Sequence, residues 1–146
     1  MAYKTPESVL VVIYTTDLQI LLLERADPAG WWQSVTGSLE PGEIPEQTAA
    51  REVNEEVGID TRAYKLQDWG YSNRYEIFAC FRHRYAPDVT HNTEHVFGLL
   101  IPKQTDIRLA PQEHLRYIWL PAQLAMEKCF SPSNQAAIKL LLERAP

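Results

Sequence analysis

Apolar and polar positions fall mostly into blocks short enough for strands, and take the wider spacing of a helix in two places. "SVLVVIY" (8–14) is β-branched and apolar, and "QILLLER" (19–25) follows it after "TTDL". Such runs, bounded by turn residues, predict a hairpin of mostly buried strands. "ADPAGWW" has the Pro and Gly of a loop, "WQSVTG" (32–37) predicts a short strand ending at Gly37, and "EPGEIP" is a second loop. Pro45 suits the first turn of a helix that runs to about Val57, where Gly58 supplies the stop. In the second half "AYKLQDWG", "RYEIFACFRHRY", "TEHVFGLLIP", "DIRLA" and "LRYIWL" predict strands, separated by Pro, Asn or Asp. "SPSNQAAIKLLLERA" opens on a capping serine, Ser131, with a proline at the first helical position and apolar residues at Ile138, Leu141, Leu142 and Ala145. "AQLAMEKC" ahead of it has the length of a short helical turn. The order β-β-β-α-β…β-α implies the α/β class, a mixed sheet with helices packed against it. No repeat or linker divides the 146 residues, so one domain spanning 1–146 is expected.

Composition narrows the function without naming it. The chain is 45% hydrophobic and 23% charged, as for an ordinary globular protein. A formal charge of −5 speaks against a general nucleic-acid binder, which presents a basic face. An anionic substrate would therefore need metal ions or a few local Lys and Arg residues. The two cysteines, Cys80 and Cys129, stand in no metal-binding spacing, and Cys80 in "EIFACF" reads as a small buried thiol on a strand. The absence of a disulfide framework agrees with a reducing cytosol. Val9 to Tyr14 is too short to span a bilayer and no leader pattern precedes it, so a cytoplasmic protein without membrane contact is expected.

The predicted helix over 45–57 concentrates acid on one side. With Glu52 at zero on a helical wheel, Glu55 falls near −60° and Glu56 near +40°, an arc of roughly 100°. Val53, Val57 and Ala50 fall at about 100° to 160°, the face that should bury, and Arg51 lies near −100°. Glu52 and Glu56 are like charges four residues apart, a destabilising pair on an isolated helix. They also sit near the C-terminus, where the helix dipole disfavours anions. A hard divalent cation such as Mg²⁺, which takes carboxylates, waters and phosphates, accounts for that placement, whereas a solvated polar face does not.

Gly37, five residues, Glu43, seven residues and then "REVNEEVGI" place Gly37, Glu43, Arg51, Glu52, Glu55, Glu56 and Gly58 in a fixed pattern, with aliphatic Val53 and Ile59. This resembles the Nudix box at every fixed position. The resemblance implies the Nudix fold, an α/β/α sandwich around a mixed β-sheet, and hydrolysis of a diphosphate linkage with Mg²⁺ or Mn²⁺. It implies Glu52 and Glu56 as principal metal ligands and Glu55 as a further one. Arg51 would orient a box glutamate, most directly Glu52, and Glu43 would support the loop-to-helix geometry. Gly37 would let the backbone approach metal and phosphate closely.

Outside the box, "SVLVVIY", "WQSVTGS", "YEIFACFRHRYAPDVTHNTEH", "EHLRYIWL" and "SPSNQAAI" resemble the bacterial branch of the family that hydrolyses dihydroneopterin triphosphate. That resemblance implies release of pyrophosphate and dihydroneopterin monophosphate, a step of folate synthesis. Lys4 and Arg25 would meet the phosphates, Thr36 would offer a hydroxyl or backbone contact, and Ser131 would donate to substrate or cap its helix. Tyr75, Glu76, Ile77 and Phe78 would line the pterin site. Glu113, in a loop ahead of a strand, would complete the metal site or act as general base. "RHR" (82–84) reads as solvated charge ahead of the alternative, a basic strand edge that attracts triphosphate, and His91 and His95 lack the glutamate placement of a zinc-protease helix. A house-cleaning pyrophosphohydrolase of dATP or oxidised purine nucleotides is the alternative, and a non-hydrolysing ligand sensor is disfavoured because no box carboxylate is missing. The partner is a small-molecule triphosphate, and the assembly a monomer or small homo-oligomer.

Overall fold

The computed structural model describes residues 3–144, so Ala145 lies outside the described residues. Seven strands form one mixed sheet: β1 (Glu7–Thr15), β2 (Gln19–Arg25), β3 (Trp32–Gln33), β4 (Val35–Ser38), β5 (Lys65–Glu76), β6 (His91–Ile101) and β7 (His114–Pro121). The main path runs β3-β2-β1-β6-β5, with β4 on β1 and β7 on β2. The parallel pair is β1 with β6, from Glu7↔Thr93 to Thr15↔Ile101, and the other ladders are antiparallel.

Both faces of the sheet are apolar and each is covered. One face presents Val9, Val11, Ile13, Leu21, Leu23, Phe97 and Leu99 to helix α1 (Pro45–Val57), which contributes Ala49, Val53 and Val57. The other presents Leu10, Val12, Ile20, Leu22 and Val96 to α2 (Ala122–Lys128) and α3 (Pro132–Arg144), which contribute Ala125, Ala137, Ile138 and Leu141. Full burial of each large aliphatic side chain contributes about 1.5–3 kcal/mol. This is an α/β/α sandwich.

Several expectations need correction. β1 and β2 pair at Tyr14↔Ile20, then part, because β4 takes the edge of β1 from Ser8↔Ser38 to Val11↔Val35. "AYKLQDWG" and the start of "RYEIF" form the single strand β5, with a register shift between Asp68 and Tyr71 around Gly70, whose φ is +65°. After Glu76 the chain leaves the sheet, and Ala79–Arg84 is 3₁₀-helical, which leaves Cys80 exposed. Residues three apart eclipse in that geometry, so Phe78 and Phe81 come together, with ring centroids 6.3 Å apart. "DIRLA" forms no ladder: Ile107 and Leu109 pack on the core, and Arg108 N–H donates to the Val57 carbonyl at 3.1 Å.

On α1, Ala50 is half-buried, with Thr48 and Ala49 buried in its place. Glu56, expected away from the apolar arc, is 3% exposed.

Candidate active site

The site starts from the two ends of α1. Pro45 opens the helix and Gly58 closes it in the left-handed region (φ 74°), its N–H donating to Asn54 O at 3.0 Å. Arg51 ties this helix to the loop before it. Its Nε and Nη2 donate to the two oxygens of Glu43 at 2.7 and 2.9 Å, and Nη2 also reaches the Ser38 carbonyl at 3.2 Å. Its Nη1 donates to Glu52 Oε1 at 2.7 Å and Glu55 Oε2 at 3.2 Å. Glu43 also accepts from Glu40 N–H at 2.8 Å and Thr48 Oγ1 at 2.9 Å. The Arg51 guanidinium is the main reason that Glu43 is held down to about 2.

Gly37 on β4 faces this helix directly. A Cβ there would stand 2.2 Å from Glu52 Cδ, so the missing side chain is what admits the Glu52 carboxyl. One residue earlier, Thr36 donates its hydroxyl to Val9 O at 2.9 Å and its N–H to Glu56. Thr36 thus supports the site's framework from the cleft wall.

Glu52, half-buried and bonded to Arg51, stands beside the buried Glu56 as a pair of like-charged carboxyls. Burial raises both pKa values, Glu56 well above the ordinary range, and the neighbouring Glu52 carboxyl adds to the Glu56 shift. Glu56 Oε1 is buried without a hydrogen-bond partner. The nearest basic atom, His114 Nε2, lies 3.7 Å away. Burial, and then the charge of Arg25, hold His114 down to about 4, so it is neutral at neutral pH and offsets no charge.

Around this pair opens a cleft of about 740 Å³. Arg51, Glu52, Glu55, Glu56 and Glu113 line it, as do Lys4, Arg25 and Thr36. Tyr75, Ile77, Phe78 and Ser131 line it too, whereas Glu76 is exposed and stands off the cleft, since strand alternation with Tyr75 turns it outward. Glu113 is exposed, immediately before buried His114 at the start of β7. Ser131 caps α3, accepting from Asn134 N–H at 3.3 Å.

The cleft walls differ in character. Lys4, Arg25 and Arg84 supply cationic groups, with Lys4 N–H bonded to Arg84 O at 2.9 Å. The surrounding protein, and then Arg84, lower the Lys4 ammonium pKa. Arg25 lies 4.5 Å from the Phe81 ring centroid and donates to Gln33 Oε1 at 3.1 Å. Phe78, Phe81 and Phe130 form the apolar side, and Trp31 stacks behind Phe130 at 4.4 Å.

The NUDIX domain family model matches residues 4–141. The chain belongs to the Nudix family. Dihydroneopterin triphosphate diphosphatase of Escherichia coli (strain K12) is 49% identical over 140 residues, covering 94% of this chain and 92% of its own. The enzyme of that name from Haemophilus influenzae is 44% identical over 145 residues, 97% of this chain and 90% of its own. The solved structure of the E. coli dihydroneopterin triphosphate pyrophosphohydrolase superposes with a TM-score of 0.94 at 47% identity, covering 99% of this chain and 100% of that one. The sandwich is thus the Nudix fold.

Nudix hydrolases use divalent metal ions, and the acidic pair fits one. Among the described residues no three acidic, His or Cys side chains converge as a ready-made metal cage, and Glu55 is turned onto Arg51. The fit rests on Glu52 and Glu56: two neighbouring carboxyls with raised pKa values, one half-buried and one buried with its Oε1 unpartnered, offer oxygen ligands to a hard cation. Among the described residues no helix is long and apolar enough to cross a membrane.

Several residues of this Nudix cleft escaped sequence reasoning. Arg84 reads from sequence as solvated charge and Glu94 only as a glutamate misplaced for zinc, while His114, Asn92, Phe81 and Phe130 carry no sequence assignment. Asn92 and Glu94 did carry a signal: they are polar residues in register with Val96 on the alternating strand "HNTEHVFGLLI".

Proposed function

We propose that this enzyme hydrolyses dihydroneopterin triphosphate to dihydroneopterin monophosphate and pyrophosphate, with Mg²⁺ as its metal and Mn²⁺ as a substitute. The observation that carries the reading is the 49% identity, over 94% of the chain, to an enzyme of that activity. The cleft supports it, since a cationic wall beside the acidic helix suits a triphosphate and an aromatic wall suits a flat ring.

Glu52 and Glu56 hold the metal, with Glu55 and Glu113 as the further carboxylates within the cleft. A divalent cation bound there neutralises phosphate charge and acidifies water. Arg51 fixes Glu52 in place, and the Thr36 N–H fixes Glu56, so neither carboxyl has to reorganise during the reaction. Lys4, Arg25 and Arg84 bind the non-bridging phosphate oxygens and orient the chain of phosphates along the helix. Glu113, exposed at the cleft, is the general base that takes a proton from the attacking water. Tyr75, Ile77 and Phe78 hold the pterin, and Ser131 contributes through the α3 cap. The neutral His114 ring is buried beside Glu56, with Nε2 3.7 Å from Glu56 Oε1.

The test is a side-by-side ranking of kcat/KM for dihydroneopterin triphosphate, dATP, oxidised dGTP and the pyrimidine triphosphates. The pterin should lead, purines should follow and pyrimidines should trail. A tenfold lead for dATP or an oxidised guanine nucleotide would assign the enzyme to nucleotide house-cleaning instead.

A further inference from the structure

The buried side of the cleft holds two acceptor atoms that the fold leaves without a donor. Asn92 and Glu94 sit two residues apart on β6, so both face the same side of the sheet, and they are 2% and 4% exposed. Asn92 Oδ1 and Glu94 Oε1 are both buried and lack a hydrogen-bond partner, yet both residues line the cleft. The amide nitrogen of Asn92 is engaged. Asn92 Nδ2 donates to Ser8 Oγ at 2.7 Å and to the Tyr75 hydroxyl at 3.1 Å. The Tyr75 and Ser133 hydroxyls stand near the Glu94 carboxyl. Buried polar groups are almost always paired, so two adjacent unpaired acceptors in one cavity wall point to a ligand that brings donors. Phe78 and Phe130, with ring centroids 5.5 Å apart, supply apolar faces in the same cleft.

Resting on the pterin substrate proposed above, we infer that Glu94, assisted by the Asn92 carbonyl oxygen, determines ring specificity by accepting the adjacent N–H groups of a 2-amino-4-oxopyrimidine ring. The 2-amino group and N3–H of a pterin point two donors in the same direction, which matches a carboxylate with one free oxygen beside an amide oxygen. Guanine presents the same edge. Adenine and cytosine each set a bare ring nitrogen beside their amino group, and uracil and thymine flank one N–H with two carbonyls. Each of those rings aims an acceptor at Glu94 and leaves a buried group unpaired, the mismatch that costs most in discrimination. The metal site can serve any triphosphate, so this pair of acceptors is where the ring is chosen.

The experiment compares wild type and Glu94→Gln on dihydroneopterin triphosphate, GTP, ITP and ATP, as substrates or as competitive inhibitors. ITP differs from GTP by loss of the 2-amino group alone. Wild type should favour GTP over ITP by roughly 10- to 100-fold, the range of a hydrogen bond to a charged group. Glu94→Gln should collapse that ratio towards one and lower kcat/KM for the pterin by a similar factor, while ATP is unchanged or improved. An unchanged GTP-to-ITP ratio in the variant, or an equal loss on all four compounds, would overturn the inference. Should the variant fail to fold by thermal melting, the wild-type ratio decides, and a value near one refutes the role. Weak wild-type turnover of the pterin with the GTP-to-ITP preference intact would reject the proposed substrate and leave the role of Glu94 standing.

Discussion

Replacing Glu56 with glutamine tests whether the acidic pair is short of a cation. In the metal-free protein burial and Glu52 hold the Glu56 pKa well above 4.5, whereas in the unfolded chain it returns to that ordinary value. Between those two values the native state binds a proton that the unfolded state has lost, so stability falls as pH rises. One such proton gives a slope of about 1.4 kcal/mol per pH unit. Glutamine replaces a neutral acid with a neutral amide of the same shape, so Glu56→Gln should fold and lack that slope. Urea unfolding in EDTA at about pH 5, 6 and 7 should show the variant gaining on wild type by up to ~1.4 kcal/mol per unit, at an unchanged m-value. Added Mg²⁺ should reverse the ranking: at 100 times its Kd the wild-type protein gains about 2.7 kcal/mol, and the variant gains less. Turnover at saturating Mg²⁺ should fall at least ~10²-fold in the variant. Parallel stability-versus-pH curves, with the Mg²⁺ response retained, would refute the reasoning.

Gly37→Ala places a methyl 2.2 Å from Glu52 Cδ, so it should displace that carboxyl and raise the Mg²⁺ concentration for half-maximal activity more than tenfold, read from a metal titration. Glu113→Gln should lower kcat at least ~10-fold and leave KM nearly unchanged, because an exposed cleft carboxylate acting on water binds no substrate. A kcat equal to wild type between about pH 6 and pH 9 returns Glu113 to a surface role.

The acidic helix was legible because its ends are chemically marked. Pro45 and Gly58 set its span, and the box spacing identified Arg51, Glu52 and Glu55 before any contact was known. The burial of Glu56 was not legible, since a helical wheel knows the helix's own apolar face and not the strand and loop that close over the other side. Here β4 and the start of β7 bring Thr36 and His114 onto it. The stretch after Glu76 misled for a related reason. Phe78 and Phe81 fit a strand in an apolar run, but the aromatic cluster with Trp31 and Phe130 draws them into 3₁₀ geometry, a tertiary preference over a local one. "DIRLA" alternates because its apolar residues bury, and alternation reports burial without reporting a pairing partner. Alternation along "HNTEHVFGLLI" marks Asn92 and Glu94 as polar residues on the face of Val96, but only the register with β1, which sets them beside Ser8, makes that face the cleft wall.

Hydrolysis of dihydroneopterin triphosphate under excess Mg²⁺, followed by phosphorus NMR, tests the proposed reaction most directly. Pyrophosphate and dihydroneopterin monophosphate should appear together in equal amounts and at the same rate, and EDTA should abolish both. Successive release of orthophosphate, or turnover unaffected by EDTA, would contradict a metal-dependent pyrophosphohydrolase built on Glu52 and Glu56.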